Sequence, residues 1–240
     1  VGILPPPAPL QPARLADDPQ IAELLASRNH RLAEFWLNPQ EPAAHGGPFV
    51  GKNALVVDAE DRFTTMLAHQ LRHLGLDAQI VHWSEATPER VAAADLVVAG
   101  PGPGDPRENT SARISRMREV VHARLDAGDP LVAVCLSHQI LADTLGLPLA
   151  PLDQPHQGLQ KTVDVFGQDA SIGFYNTFTA KVVPGAATAA DVEVSADPDT
   201  GSVYALRGPG FATVQGHLES ILSRDGMVTL ERLISHALAD

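Results

Sequence analysis

Cys135 is the one cysteine of the chain, and it lies in the run Leu131-Val132-Ala133-Val134-Cys135-Leu136-Ser137-His138-Gln139. Four apolar residues ahead of it, and a helix-compatible stretch behind, place the thiol where a buried strand turns into a helix. That is the thiol counterpart of a nucleophile elbow. So tight a turn needs small residues two before and two after the nucleophile, and these are Ala133 and Ser137. The positive end of the helix dipole favours a thiolate there. The backbone N–H of Leu136 is expected to face the same pocket, ready to hold an oxyanion. A lone cysteine is more often a small core hydrophobe; the strand-to-helix context lifts Cys135 above that reading.

The partners come from Phe211-Ala212-Thr213-Val214-Gln215-Gly216-His217-Leu218-Glu219-Ser220. On extended backbone, residues two apart share a face, so His217 and Glu219 are expected to point together with Leu218 turned away. A carboxylate beside an imidazole fixes its tautomer and supports its protonated form, the logic of a catalytic triad. His-x-Glu alone is more often a solvated surface pair; the upstream cysteine is what makes it informative. A third run, Gly100-Pro101-Gly102-Pro103-Gly104-Asp105-Pro106, follows a strand end, where open α/β sheets bind ligands. Its glycines let backbone approach a small substrate closely. It lacks the lysine and Ser/Thr of a phosphate loop.

These runs need a frame, and the chain alternates strands and helices to supply one. Strands are expected at 54–57, 78–83, 95–99 and 131–134. Helices are expected at 63–74, from Thr87, at 114–125 and at 139–145, and short strands follow Pro148 at 160–166, 171–175, 192–195, 202–206 and 211–215. A closing helix covers about 227–238. Such alternation implies an α/β fold with a mostly parallel sheet flanked by helices. Ahead of this domain (52–240), residues 1–18 carry Pro5-Pro6-Pro7-Ala8-Pro9 and Pro12 and read as an extended linker. Residues 19–51 hold a helix opened by Asp18-Pro19. Its Ile21, Leu24, Leu25, Leu32, Phe35 and Trp36 lie at helical spacing, as either a docking face or a face packed on its own domain. The start at Val1 rather than Met suits a processed chain or the rear part of a longer one.

With 240 residues, 44% hydrophobic and 19% charged, the composition is that of a soluble globular protein. A net charge of −12 repels nucleic acid and anionic membrane. No apolar run reaches the roughly 18 residues of a membrane span and no signal core opens the chain, so the cytoplasm is the expected location. One cysteine excludes an internal disulfide and a multi-cysteine metal site. His30, His69, His73 and His82 show no metal spacing with carboxylates, and no metal is expected. His138 is expected to be scaffold.

Gly-Pro-Gly-Pro-Gly, then Cys-Leu-Ser-His-Gln, then Gln-Gly-His-Leu-Glu-Ser, in that order over about 52–238, resemble the class I glutamine amidotransferases, above all those serving anthranilate and aminodeoxychorismate synthases. A finer resemblance, to the amidotransferase half of fused phenazine-pathway synthases that aminate chorismate, rests on Pro155-His156-Gln157-Gly158-Leu159-Gln160-Lys161, Phe174-Tyr175-Asn176-Thr177-Phe178 and Phe35-Trp36-Leu37-Asn38-Pro39-Gln40. The resemblance implies a flavodoxin-like amidotransferase fold in which Cys135 attacks the glutamine side-chain amide and His217, oriented by Glu219, shuttles the proton. It implies an oxyanion hole from Gly102 and Leu136. Gly102, Pro103, Gly104, Gln139 and the Thr177-Phe178 backbone would hold the amino-acid end of the substrate. It places no cofactor in this domain and magnesium in a chorismate-binding synthase domain, fused or separate, that takes up the ammonia and dimerises the full enzyme. Five positions depart from the family pattern: Ala133 and Ser137 stand for glycines, Gly216 and Leu218 for the aromatic residue before the histidine and the proline after it, and Asn176 for a histidine.

Overall fold

The computed structural model describes residues 18–38, 46–182 and 191–239. The linker expected over 1–18 lies outside these residues apart from Asp18, and so does the stretch 39–45. In chain order the described elements are α1 (Pro19–Asn29), α2 (Glu34–Leu37), β1 (Asn53–Asp58), α3 (Phe63–His73), β2 (Asp77–His82), α4 (Pro88–Ala92), β3 (Leu96–Ala99), α5 (Ala112–Ala127), β4 (Leu131–Val134) and α6 (Leu136–Thr144). Then come β5 (Leu149–Pro151), β6 (Leu159–Asp164), β7 (Asp169–Phe174), β8 (Phe178–Ala180), β9 (Glu193–Ala196), β10 (Val203–Gly208), β11 (Phe211–Val214) and α7 (Gly226–Ala237).

The sheet runs β2-β1-β3-β4-β11-β10-β9. The first five strands are parallel, and β10 lies antiparallel to both β11 and β9. Strands β3 and β4 and the middle of β1 (Ala54 to Val57) are apolar throughout, and β11 breaks the run only at Thr213, because helices cover both faces of the sheet. Successive β1 residues fill opposite cores. Val56 packs with Leu67 and Leu71 of α3 and Leu230, Leu233 and Ile234 of α7. Val57 packs with Ile114 and Met117 of α5 and Ile140 and Leu141 of α6. Each such side chain, wholly buried, contributes about 1.5–3 kcal/mol. The carboxyl edge of β3, β4 and β11 is therefore a fixed frame, and the three sequence runs leave the sheet from those neighbouring ends.

Several expectations shift in the structure. Helix α6 begins at Leu136, immediately after Cys135, rather than at Gln139. Strands β5 and β8 were not foreseen; three residues each, they pair with one another and are too short to show a periodicity. The single front helix is two. Helix α1 starts as read, with Asp18 Oδ1 accepting from Gln20 N at 2.8 Å, but it ends at Asn29 and buries no residue. Helix α2 then turns back to lay Phe35 5.1 Å from the His73 ring and Trp36 5.8 Å from the His69 ring on α3. Phe35 and Trp36 thus pack on their own domain. Among the described residues no helix is long and apolar enough to cross a membrane.

Candidate active site

Cys135 occupies the turn between β4 and α6 with φ 51° and ψ −101°. A non-glycine residue there costs about 1–3 kcal/mol and persists only where the surroundings impose it. They do: the Cys135 N–H donates to the Val214 carbonyl of β11 at 2.9 Å. Ser137, buried, donates its hydroxyl to the Gly100 carbonyl at 2.7 Å, tying α6 to the loop after β3. A position that the turn keeps small thus also carries a bond. His138 is wholly buried with Nδ1 2.7 Å from Thr213 Oγ1. Burial pushes its pKa down to about 3, so it stays neutral and serves as scaffold.

The loop after β3 packs on the end of β1. A Cβ on Gly102 would stand 2.7 Å from the Ala59 carbonyl and 2.8 Å from Leu136 Cδ2, so only glycine fits, and Gly102 and Leu136 adjoin. Gly104, at φ 107°, needs glycine for its backbone alone. Arg113 braces the loop by donating to the Pro103 carbonyl at 2.8 Å. Gly102, Pro103, Gly104, Gln139, Thr177 and Phe178 line one cleft with Cys135, and its volume of about 440 Å³ is in the range of small-molecule sites. Leu136 is not in the lining; its amide heads α6, where helix N–H groups lack intrahelical acceptors. Asp105, Tyr175 and Asn176 also line the cleft. Asp105 holds the Arg107 guanidinium at 2.7 Å, and that cation lies 4.8 Å over the Phe178 ring. Asn176 Nδ2 donates to the Phe178 carbonyl at 2.9 Å and its Oδ1 lies 3.0 Å from His156 Nδ1, so both ends of its amide have a protein partner.

His217 and Glu219 stand behind Cys135, 2% and 0% exposed, with His217 Nδ1 2.8 Å from Glu219 Oε1. They meet by a route other than the one read from the sequence. Strand β11 ends at Val214, and residues 217–220 form a turn closed by Ser220 N–H to the His217 carbonyl at 3.1 Å. Leu218 does point away, wholly buried in the core. In place of a proline's stiffness the turn has anchors. Gln70 donates to the Leu218 carbonyl at 3.3 Å, and His217 N–H donates to the Gly173 carbonyl at 2.8 Å. The Phe63 and Tyr175 rings flank the imidazole at 4.7 and 5.3 Å. Burial pulls the His217 pKa down, but the charges of Cys135 and Glu219 and their hydrogen bonds pull it up further, to well above its ordinary value. The arrangement sets an imidazole with a raised pKa between Cys135 and Glu219, and Cys135, itself buried, lines the cleft. It suits nucleophilic attack on a carbonyl carbon followed by proton transfer to the leaving group. Phe63, Gln70 and Arg113 were not foreseen because they reach the site from α3 and α5, whereas Asp105, Tyr175 and Asn176 lay in runs already singled out for other residues.

The sequence profile described as Glutamine amidotransferase class-I matches residues 55–237. Anthranilate synthase, phenazine specific, of Pseudomonas chlororaphis is 42% identical over 234 residues, covering 95% of this chain and 36% of that protein. Anthranilate synthase component 2 of Mycobacterium tuberculosis (strain H37Rv) is 33% identical over 187 residues, covering 72% of this chain and 77% of that one. The structure of a glutamine amidotransferase from Thermotoga maritima superposes with a TM-score of 0.57 at 14% identity, covering 72% of this chain and 78% of that chain, a likeness of fold.

Proposed function

The chain belongs to the class I glutamine amidotransferases, and from that premise we propose that it hydrolyses glutamine through Cys135, His217 and Glu219 and supplies the ammonia to a chorismate-utilising synthase. The observation that carries this reading is the buried His217–Glu219 pair, bonded at 2.8 Å behind a thiol that lines the cleft from a strained turn. The Cys135 thiolate adds to the side-chain carbonyl carbon of glutamine, and the oxyanion so formed is taken by the N–H groups of Gly102 and Leu136. Collapse breaks the C–N bond as His217 passes its proton to the departing nitrogen, leaving ammonia and a γ-glutamyl thioester. Neutral His217 then takes a proton from water, whose oxygen adds to the thioester carbonyl. Expulsion of the thiolate gives glutamate and restores the starting charges. Gly102, Pro103, Gly104, Gln139, Thr177 and Phe178 hold the amino-acid end.

This chain spans about a third of the length of the phenazine-specific relatives (36%). The acceptor chemistry is accordingly assigned to a chorismate-binding domain, together with any magnesium it requires, and no cofactor is assigned to this chain. The 42% identity to the phenazine-specific proteins supports 2-amino-2-desoxyisochorismate synthase as the full enzyme. The 33% identity to anthranilate synthase component 2 supports a second reading with the same ammonia-forming steps and a different product. Cys135→Ser in the complete synthase tests the proposal: glutamine-dependent amination should vanish while amination with added ammonium salt persists. Loss of both would make Cys135 structural, and retention of both would show that Cys135 is not the nucleophile.

A further inference from the structure

Gln215 takes no part in the steps above, yet it is 1% exposed and its side chain touches the nucleophile. Its main-chain N–H donates to the Tyr204 carbonyl at 2.8 Å, which fixes the residue just past the end of β11, beside Cys135. Its Oε1 accepts from Gln139 Nε2 at 2.9 Å, and its Nε2 lies 3.7 Å from Cys135 Sγ. Gln139 Nε2 also donates to the Phe178 carbonyl at 2.6 Å.

The direction of this chain of bonds is set from its outer end. The Phe178 carbonyl only accepts, so Gln139 must present its NH2 there. The second hydrogen of that NH2 meets Gln215, which must answer with its oxygen. That leaves the Gln215 NH2 for the sulfur, where a thiolate wants a donor. Both Gln139 protons are then engaged, so its carbonyl oxygen is what it has left for the cleft.

We infer that Gln215 is a positioning residue with two arms: its amide N–H holds the Cys135 sulfur in its anionic form, and its amide oxygen locks Gln139 so that the Gln139 carbonyl accepts from the ammonium group of the bound amino acid. The inference rests on the amidotransferase reading and deepens it. A neutral donor suits this position. It steadies the thiolate without setting a second cation against the imidazolium of His217, whose proton the leaving nitrogen needs.

Two variants separate the arms. Gln215→Glu keeps the size and an acceptor for Gln139 but turns a carboxylate toward the sulfur. Gln215→Met keeps the length and removes both bonds. Cys135 is the sole cysteine of the 240 residues, so iodoacetamide at neutral pH, read by intact mass on the folded chain, reports its reactivity alone. Thermal melts establish that each variant is folded. Alkylation should slow about tenfold in both variants, the effect of one lost bond to a charged group. In the complete synthase, KM for glutamine should rise severalfold in Gln215→Met and stay near its starting value in Gln215→Glu. Unchanged alkylation in a folded Gln215→Glu chain would overturn the sulfur arm and leave Gln215 as core filler, even if the methionine variant did not fold. Equal KM in the two variants would overturn the Gln139 arm. Iodoacetamide needs no glutamine site, so failure of unaltered Cys135 to react with an electrophilic glutamine analogue would sink the amidotransferase reading separately.

Discussion

The protonation of His217 depends on both of its neighbours, since Cys135 and Glu219 each raise its pKa. Because the Glu219 charge helps raise the His217 pKa, Glu219→Gln should lower it. His217 must carry its proton for ammonia to leave, so activity falls as pH rises through its pKa. The alkaline limb of the glutaminase pH profile should therefore move to lower pH in Glu219→Gln; an unmoved limb would assign that limb to another group. His217→Ala removes both general acid and base and should cost about 10²–10⁴ in kcat, more than Glu219→Gln, which keeps the shape. The grouping of Cys135, His217 and Glu219 was legible in the sequence because one elbow cysteine and one His-x-Glu pair fell in the right order. Gln215 and Phe63 were not, since a buried glutamine and a ring acquire meaning only from neighbours that the fold brings in.

Strands β3, β4 and β11 were read nearly to the residue because strands buried on both faces leave unbroken apolar runs. The route of the chain after β11 was not. Alternation was assumed past Val214, whereas the pair meets through a turn held by Gln70, Gly173 and buried Leu218. Helix α7 presses on that turn, since a Cβ on Gly226 would fall 1.9 Å from the Leu218 carbonyl. Gly226→Ala should lower kcat with little change in KM and cost about 1–3 kcal/mol of stability in a thermal melt. A KM rise of the same size as the kcat loss would show that the cleft, rather than the turn, had moved. Helix α6 carries a second testable group in neutral His138, whose pKa is 6.5 in an ordinary setting and about 3 here. The unfolded chain gains that proton below about 6.5 and the folded chain does not, so stability is lost as pH falls from 6.5 toward about 3. Urea midpoints at pH 7 and pH 5 should differ more in the unaltered protein than in His138→Gln.

At the scale of the whole molecule, the lead-in is bonded to the residues that follow the His217–Ser220 turn. Ala33 N–H donates to the Ile221 carbonyl at 2.8 Å, and Gln160 Nε2 bridges the carbonyls of Arg31 and Leu222 at 2.5 and 2.7 Å. A displacement of the segment before α2 therefore bears on the residues just after Glu219. The front helix could not reveal this from its sequence, since its apolar spacing reads the same whether Phe35 and Trp36 dock elsewhere or fold back. An acceptor domain able to favour one position of that segment would raise glutamine hydrolysis. Turnover of residues 1–240 alone should be lower than that of the complete synthase with chorismate bound; equal rates would leave a self-sufficient glutaminase. The claim beneath all of this is that the cleft binds glutamine with its amide carbon against Cys135. The most direct test is to incubate the chain with a glutamine analogue bearing an electrophile at the amide position and to read the product by intact mass and peptide mapping. The prediction is a single adduct, on Cys135, formed more slowly as glutamine is added and much more slowly in His217→Ala. Labelling that glutamine does not slow, or a folded protein that takes up no label, would contradict it.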